Sequence, residues 1–284
     1  MKIKNLTFVF LGVLVLANIL AWTTVYELSQ PQLLEVSFFD VGQGDSIFIE
    51  TPQGHQVLID GGPSSVVLEK LGQEMPYWDR NIDLIVLTHP EHDHIFGLIE
   101  VLKNYEVENV LWTGIKRNTQ EYSEWTDCLE KEGAKAIIAE KGQRIIMGDV
   151  SFDILYPFDN LEGEEIKSVN NSSIVGRLVF KDSSFLFTGD IFKSVEKDII
   201  KSGIDIESDI LKVGHHGSKT SSGEEFVSAV APGIAVIQVG GDNSYGHPNQ
   251  ETLETLENYG IKILRTDING DIKIISDGLN YNLK

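Results

Sequence analysis

The sequence predicts an α/β chain built as an αββα four-layer sandwich, two sheets face to face with helices outside, preceded by one N-terminal transmembrane helix. Three observations lead there. Strand-like and helix-like runs alternate in two similar halves of the chain. In each half, strands end in histidines or acids. The extreme N-terminus is unlike everything that follows it. A single doubly wound sheet fits the same alternation and is the alternative.

The N-terminus "MKIKN" sets Lys2 and Lys4 before an apolar run, Leu6–Trp22, interrupted only by Thr7 and Asn18. That run is close to the shortest that spans a bilayer, about 17 residues. A basic flank followed by an apolar run fits a cleaved signal peptide or an uncleaved anchor. No A-x-A site follows Ala21, and Trp22 with Tyr26 suits a membrane interface, so the anchor is favoured. Residues 1–29 are thus expected to be a signal-anchor segment and linker, with "SQPQLL" as the connection. Residues 30–284 form one domain on the extracytoplasmic side of the cell membrane, with secretion after cleavage as the alternative.

Period-two alternation with Gly and Pro at the breaks predicts strands at 35–40, 46–50 and 56–60. A short helix follows over 64–72. "IDLIVLTH" is a buried strand (82–89), and "HIFGLIEVLKNY" has helical spacing (94–105). Further on, "SSFLFTGD" is a strand ending in Asp190, with a helix from Ile191. "SDILKVGHHGS" is a strand ending in two histidines, "IAVIQVG" another strand, and "QETLETLENYG" a helix. "KILRTD" and "DIKIISD" are expected to close the domain as a hairpin about Ile268–Gly270.

At 284 residues and 42% hydrophobic content, the chain can bury one large core. A net charge of −20 discourages non-specific adhesion to phosphate backbones, so a nucleic-acid substrate would have to be held by metals and local basic residues. The single cysteine, Cys128, excludes a disulfide framework and a Cys-rich zinc site, and reads as a small hydrophobe on a helix.

Six of the seven histidines fall in three loops at strand ends, which is the main chemical signal. His89, His92 and His94 share "THPEHDH"; His215 and His216 share "GHHGS"; His247 lies in "NSYGHPN"; His55 is isolated in a turn. In a tight loop, residues two apart can face one cation while the next pair turns to a second. Two cations about 3.5–4 Å apart can clamp the attacking and leaving oxygens of a hydrolysis. Asp190 is either a helix N-cap or a ligand. Asp60, in "LIDGG", either makes the turn or orients a ligand histidine. Asp40, Gln43 and Asp45 of "FDVGQGDS" are expected at the same mouth, with Asp45 bracing the histidine loop. Lys212, Lys219 and Arg265 lie near these loops, and each is more often a solvated surface charge.

The ordered set "FFDVGQGDS", "LIDGG", "THPEHDH", "VNNSSIVGRL", "FLFTGD", "LKVGHHGS", "NSYGHP" resembles the metallo-β-lactamase superfamily. Within it the chain looks most like the extracellular domain of the ComEC family of DNA-uptake proteins and its stand-alone relatives, over about residues 35–275. The resemblance implies two divalent metal ions, zinc or manganese. The superfamily loop H-x-H-x-D-H is here His89-Pro90-Glu91-His92-Asp93-His94, with Glu91 where a histidine is usual and ComEC-like members commonly carry aspartate. By resemblance His89 and Glu91 serve the first metal, Asp93 and His94 the second, and Asp190 bridges both. His216 is expected to complete the second site, although His215 and His247 compete for that place. Otherwise His215 acts as acid or oxyanion donor and His247 touches the leaving group, with Asp93 as the third catalytic residue. Asn171 stands where other members carry the first metal's third histidine and is a weak ligand at best. His92 reads as a bystander.

The expected protein is a membrane-anchored, extracytoplasmic, binuclear metallohydrolase, a phosphodiesterase or DNase acting through a metal-bound hydroxide. Its partners are a phosphodiester substrate, with DNA as one candidate, and the membrane. A phosphocholine-type esterase, another small-substrate hydrolase and an inactive metal-binding envelope module are the alternatives. A β-lactam hydrolase is disfavoured because those sites lean on a His-rich first metal. RNA processing is disfavoured because little chain follows Asp190 to supply a cap domain.

Overall fold

The computed structural model describes residues 2–29 and 33–284, with side chains of the first helix described from residue 7 to residue 25. The linker residues 30–32 and the side chains of Lys2, Lys4 and Tyr26 lie outside the described residues. Contacts divide the chain into two compact units, Met1–Gln32 and Leu33–Lys284.

The first unit is one α-helix, Lys2–Ser29. Its stretch Thr7–Val25 has a mean hydropathy of 2.2, long and apolar enough to cross a membrane. Such a helix fits a single-pass anchor or a signal sequence.

In the second unit two sheets carry the fold. The eight-stranded sheet runs in the order Tyr281–Leu283, Ile272–Ser276, Leu34–Phe38, Ile47–Glu50, Gln56–Ile59, Asn81–Val86, Glu106–Trp112, Lys135–Ile138. The seven-stranded sheet runs Lys262–Arg265, Ile234–Ile237, Ile210–Lys212, Ser183–Phe187, Val175–Phe180, Val150–Tyr156, Arg144–Met147. Because strand side chains alternate between faces, Val57 and Ile59 turn inward while Leu58 turns outward. Val36, Phe38, Ile49 and Val86 of one sheet meet Phe152, Leu178, Phe187 and Val236 of the other in a single inter-sheet core.

Helices cover both outer faces. Val66–Glu74, His92–Asn104 and Gln120–Glu132 bury Leu71, Leu98, Val101 and Trp125 against Leu58, Ile85 and Val110. Lys193–Lys201, Glu224–Val230 and Gln250–Asn258 cover the second sheet through Ile199, Phe226, Val227 and Leu256. Helix His92–Asn104 docks closely because two glycines face each other. A Cβ on Gly97 would lie 1.8 Å from the Gly61 carbonyl oxygen. Layer order is therefore αββα, not the single doubly wound sheet.

The expected closing hairpin is corrected. Lys262–Arg265 pairs in parallel with Ile234–Ile237 in one sheet, and Ile272–Ser276 pairs antiparallel with Leu34–Phe38 in the other. The helical turn Thr266–Asn269 and Gly270, at φ +68°, carry the chain from sheet to sheet. Residues 106–180, to which alternation assigns no elements, supply five strands, one α-helix and one 3₁₀ turn.

Candidate metal centre

Four loops leave the C-terminal ends of parallel-paired strands, two from each sheet, and meet at one edge of the sandwich. They carry Asp60, His89 to His94, Asp190, and His215 with His216. Gly44 lets a fifth loop approach: its Cβ would stand 2.3 Å from the Asp93 carbonyl, while the Asp45 N–H donates to that oxygen at 3.2 Å.

Asp190 is the centre. Its Oδ2 lies 3.3 Å from His94 Nε2, 3.4 Å from His216 Nε2, and 4.0 Å from both His89 Nε2 and His215 Nε2. His216 Nε2 is also 3.2 Å from Asp93 Oδ2. Each imidazole is held from its other nitrogen. His94 Nδ1 meets Asp60 Oδ2 at 2.8 Å, His216 Nδ1 meets the Gln238 carbonyl at 2.9 Å, His89 Nδ1 meets Thr88 Oγ1 at 3.1 Å, and His215 Nδ1 meets Thr220 Oγ1 at 3.1 Å. Asp60 also accepts from the N–H and hydroxyl of Thr88. Nδ1 anchoring that leaves Nε2 aimed at a common point is how metal-binding histidines are oriented.

Electrostatics agree with that geometry. Burial alone would raise the Asp190 carboxyl, but the His216 and His94 imidazoles hold it well below the carboxylate range. Burial alone would lower His94 and His216, but Asp190 beside both, with Asp60 and Asp45, holds them well above the usual histidine value. At His89 the acids are outweighed: burial, then the charge on His94, pushes it down to about 3 against the pull of Asp190, Asp93 and Asp45. His89 Nε2, His94 Nε2 and Asp190 Oδ1 are buried and make no hydrogen bond. A buried polar atom without a partner costs roughly 1–3 kcal/mol. Divalent cations satisfy such atoms, and imidazole with carboxylate suits zinc or manganese. His89, His94 and Asp190, and likewise Asp93, His94 and His216, each bring ligand atoms within 4.8 Å of one another. The donor set fits two divalent ions.

The pocket, ≈ 210 Å³, is lined by His89, Asp93, Asp190, His215 and His216 together with Gln43, Glu91, Asn170, Tyr245 and His247. Glu91 faces it but stands outside the close ligand groups, and its Oε1 accepts from Arg117 at 3.0 Å. His247 has a buried, unpartnered Nδ1 and is pushed down to about 4 by burial and then by His215 and His216. His92 is outside, 3.4 Å from Glu121 on the surface. Asp40 spends its carboxylate on the Gly42 N–H.

Two expectations change. Asn171 does not line the pocket: its side-chain Oδ1 accepts from the Phe192 N–H, and its neighbour Asn170 faces His215 Nε2 at 3.3 Å instead. The 3₁₀ turn Val169–Ser172, pinned by the Ser172 and Ser173 hydroxyls, decides which asparagine points inward. Lys212 is not a solvated charge. It is 1% exposed, pairs with Asp45 Oδ2, and lies 3.7 Å from Asp190 Oδ1. Its burial was legible only as a lysine inside an otherwise apolar strand end.

The family model described as the Metallo-beta-lactamase superfamily matches residues 39–241. ComE operon protein 3 of Bacillus subtilis (strain 168) is 34% identical over 84% of this chain, and Competence protein ComA of Neisseria gonorrhoeae is 30% identical over 84%. The chain spans about a third of the length of these relatives, 32% of each. Among solved structures, Igni18, a metallo hydrolase from the archaeon Ignicoccus hospitalis KIN4/I, shares the fold at a TM-score of 0.56 and 15% identity, covering 85% of this chain and 98% of its own. With two facing sheets, loops converging on Asp190 and a family match that spans Asp60 to His216, the chain belongs to the Metallo-beta-lactamase superfamily, whose fold is that of metal-dependent hydrolases.

Proposed function

We propose that the chain is a binuclear metal-dependent phosphodiesterase, with DNA as its leading substrate, tethered by residues 1–29 and facing outward as the domain 30–284. The observation that carries this reading is the convergence of four imidazole Nε2 atoms on Asp190, with His89 Nε2, His94 Nε2 and Asp190 Oδ1 buried without hydrogen bonds. His89, Asp93, His94, Asp190 and His216 would hold the ions, with Glu91 at the rim. Bound there, two divalent ions supply Lewis-acid charge to phosphoryl oxygens and make water a better nucleophile at neutral pH.

The protein's own groups do the rest. Burial lowers His215, and burial with its imidazole neighbours lowers His247, so both face the pocket as neutral imidazoles near pH 7. A neutral imidazole can relay a proton to a leaving oxygen. Asn170 holds the His215 ring edge, and Asp60 fixes His94. The similarity to competence proteins supports DNA over a small choline phosphate.

In detergent, the full chain loaded with Mn²⁺ or Zn²⁺ is expected to hydrolyse bis(p-nitrophenyl) phosphate, and Asp190→Ala to lower kcat/KM by roughly a hundredfold or more. Parallel assays on linear DNA and p-nitrophenyl phosphorylcholine separate nuclease from esterase. No turnover with any divalent ion would sink the enzyme reading.

A further inference from the structure

A second cavity, ≈ 580 Å³, is lined by Lys116, Arg117, Asn118, Tyr122, Glu165 and Ile166. One ion pair joins it to the metal pocket, because Glu91 lines that pocket and accepts from Arg117 at 3.0 Å. In a chain with 23 basic and 43 acidic side chains, adjacent cations beside an acidic centre are conspicuous. Lys116 is exposed, and among the described residues no carboxylate pairs with its ammonium. Arg117 is half-buried, and its Nε is buried without a hydrogen-bond partner. A guanidinium has five N–H donors in a fixed fork that matches phosphate, and here a carboxylate already fixes the side chain. Asn118 adds an amide. Glu165 is the one acid in the lining, against two cations.

A different group borders the metal pocket itself. Tyr245 is 70% exposed and stacks on His247, with ring centroids 5.8 Å apart and planes 18° from parallel. An exposed aromatic face beside a phosphate site is what a nucleobase stacks on. A phosphocholine substrate has a single phosphate and no use for a second cationic cavity. A nucleic-acid strand presents successive phosphates and planar bases.

We propose that Lys116 and Arg117 form an anion subsite that holds a second phosphate of a single-stranded polynucleotide whose scissile phosphate occupies the metal pocket. Glu91 holds the guanidinium in place, and Tyr245 stacks a base. This assignment rests on the phosphodiesterase reading above, yet its test does not depend on turnover.

Binding of a fluorescein-labelled, hydrolysis-resistant phosphorothioate oligothymidylate to the Mn²⁺-loaded full chain in detergent is measured by anisotropy across a salt series. Exchanging both Lys116→Gln and Arg117→Gln is expected to weaken binding about tenfold and to flatten the slope of log K against log salt by about 0.7 per charge removed. Lys116→Gln alone, at an exposed position, reports one such increment if the double variant misfolds. Where hydrolysis is seen, kcat/KM on an oligothymidylate falls at least about tenfold further than on bis(p-nitrophenyl) phosphate, which has one phosphate. An unchanged salt slope, equal losses on both substrates, or no oligothymidylate binding by the wild type overturns the subsite. Competition by polyglycerol phosphate as strong as that by oligothymidylate overturns the strand assignment. Absence of turnover with the expected loss of binding contradicts the enzyme reading alone.

Discussion

Glu196 shows what burial does to a single group outside the metal site. Its carboxylate is 2% exposed and accepts from the N–H groups of Ser222 and Gly223, where helix Glu224–Val230 begins. Burial pushes it from 4.5 up to about 7, against the pull of those two donors. A raised carboxyl binds its proton more tightly in the folded protein, so its contribution is fully present below about pH 4.5 and lost as pH rises through about 7. Relative to Glu196→Gln, the wild type is expected to lose stability between about pH 5 and about pH 8, up to a limit of about 3 kcal/mol. Denaturant titrations at several pH values check this; parallel pH profiles for the two proteins would refute it. Much of the site was legible at the same scale, because histidines and acids at strand ends have few other uses. What spacing does not carry is rotation. His215 and His216 sit not at a strand end but in a turn with left-handed φ values of 50° and 53°, which buries one ring and half-exposes the other. Asn170 and Asn171 are separated only by the 3₁₀ turn that holds them. The roles of Lys212 and Arg117 depend on residues far off in sequence, Asp45 and Glu91, which no local pattern announces.

At the scale of elements, the inter-sheet core is what keeps the two sets of loops in register. Phe187 lies there, 2% exposed, three residues before Asp190, with ring centroids of Phe38, Phe152 and Phe185 each 6.3 Å away. Phe187→Ala is expected to cost about 3–5 kcal/mol in urea unfolding and to loosen the Asp190 loop. A loss under about 1 kcal/mol would mean that this core does not couple the sheets. Strands near the ligands were readable because the Val57–Ile59 and Phe185–Phe187 runs are wholly apolar. Glu106–Trp112 was not, since its exposed acids Glu106 and Glu108 and half-buried Asn109 break an apolar run beside helix ends. The supposed hairpin at Ile268–Gly270 failed for a topological reason: two alternating segments joined by a glycine look the same whether they pair with each other or with different sheets.

For the whole molecule, the charge of −20 has a consequence that depends on the centre. An acidic protein repels a phosphate backbone unless its charge is locally reversed, and a pocket whose Asp93 and Asp190 carboxylates offset the charge on its imidazoles becomes strongly positive only when cations fill it. Folding and metal binding are linked as well, because ions that bind only the folded form stabilise it, by about 2.7 kcal/mol at a hundredfold excess over Kd. The most direct measurement is metal stoichiometry: the full chain in detergent, equilibrated with Mn²⁺ or Zn²⁺, freed of excess ion and assayed by elemental analysis beside Asp190→Ala. Two equivalents per wild-type chain, with at least one lost in the variant, is the expected result. No bound metal in the wild type, or an unchanged stoichiometry in Asp190→Ala, would contradict a binuclear centre built on Asp190.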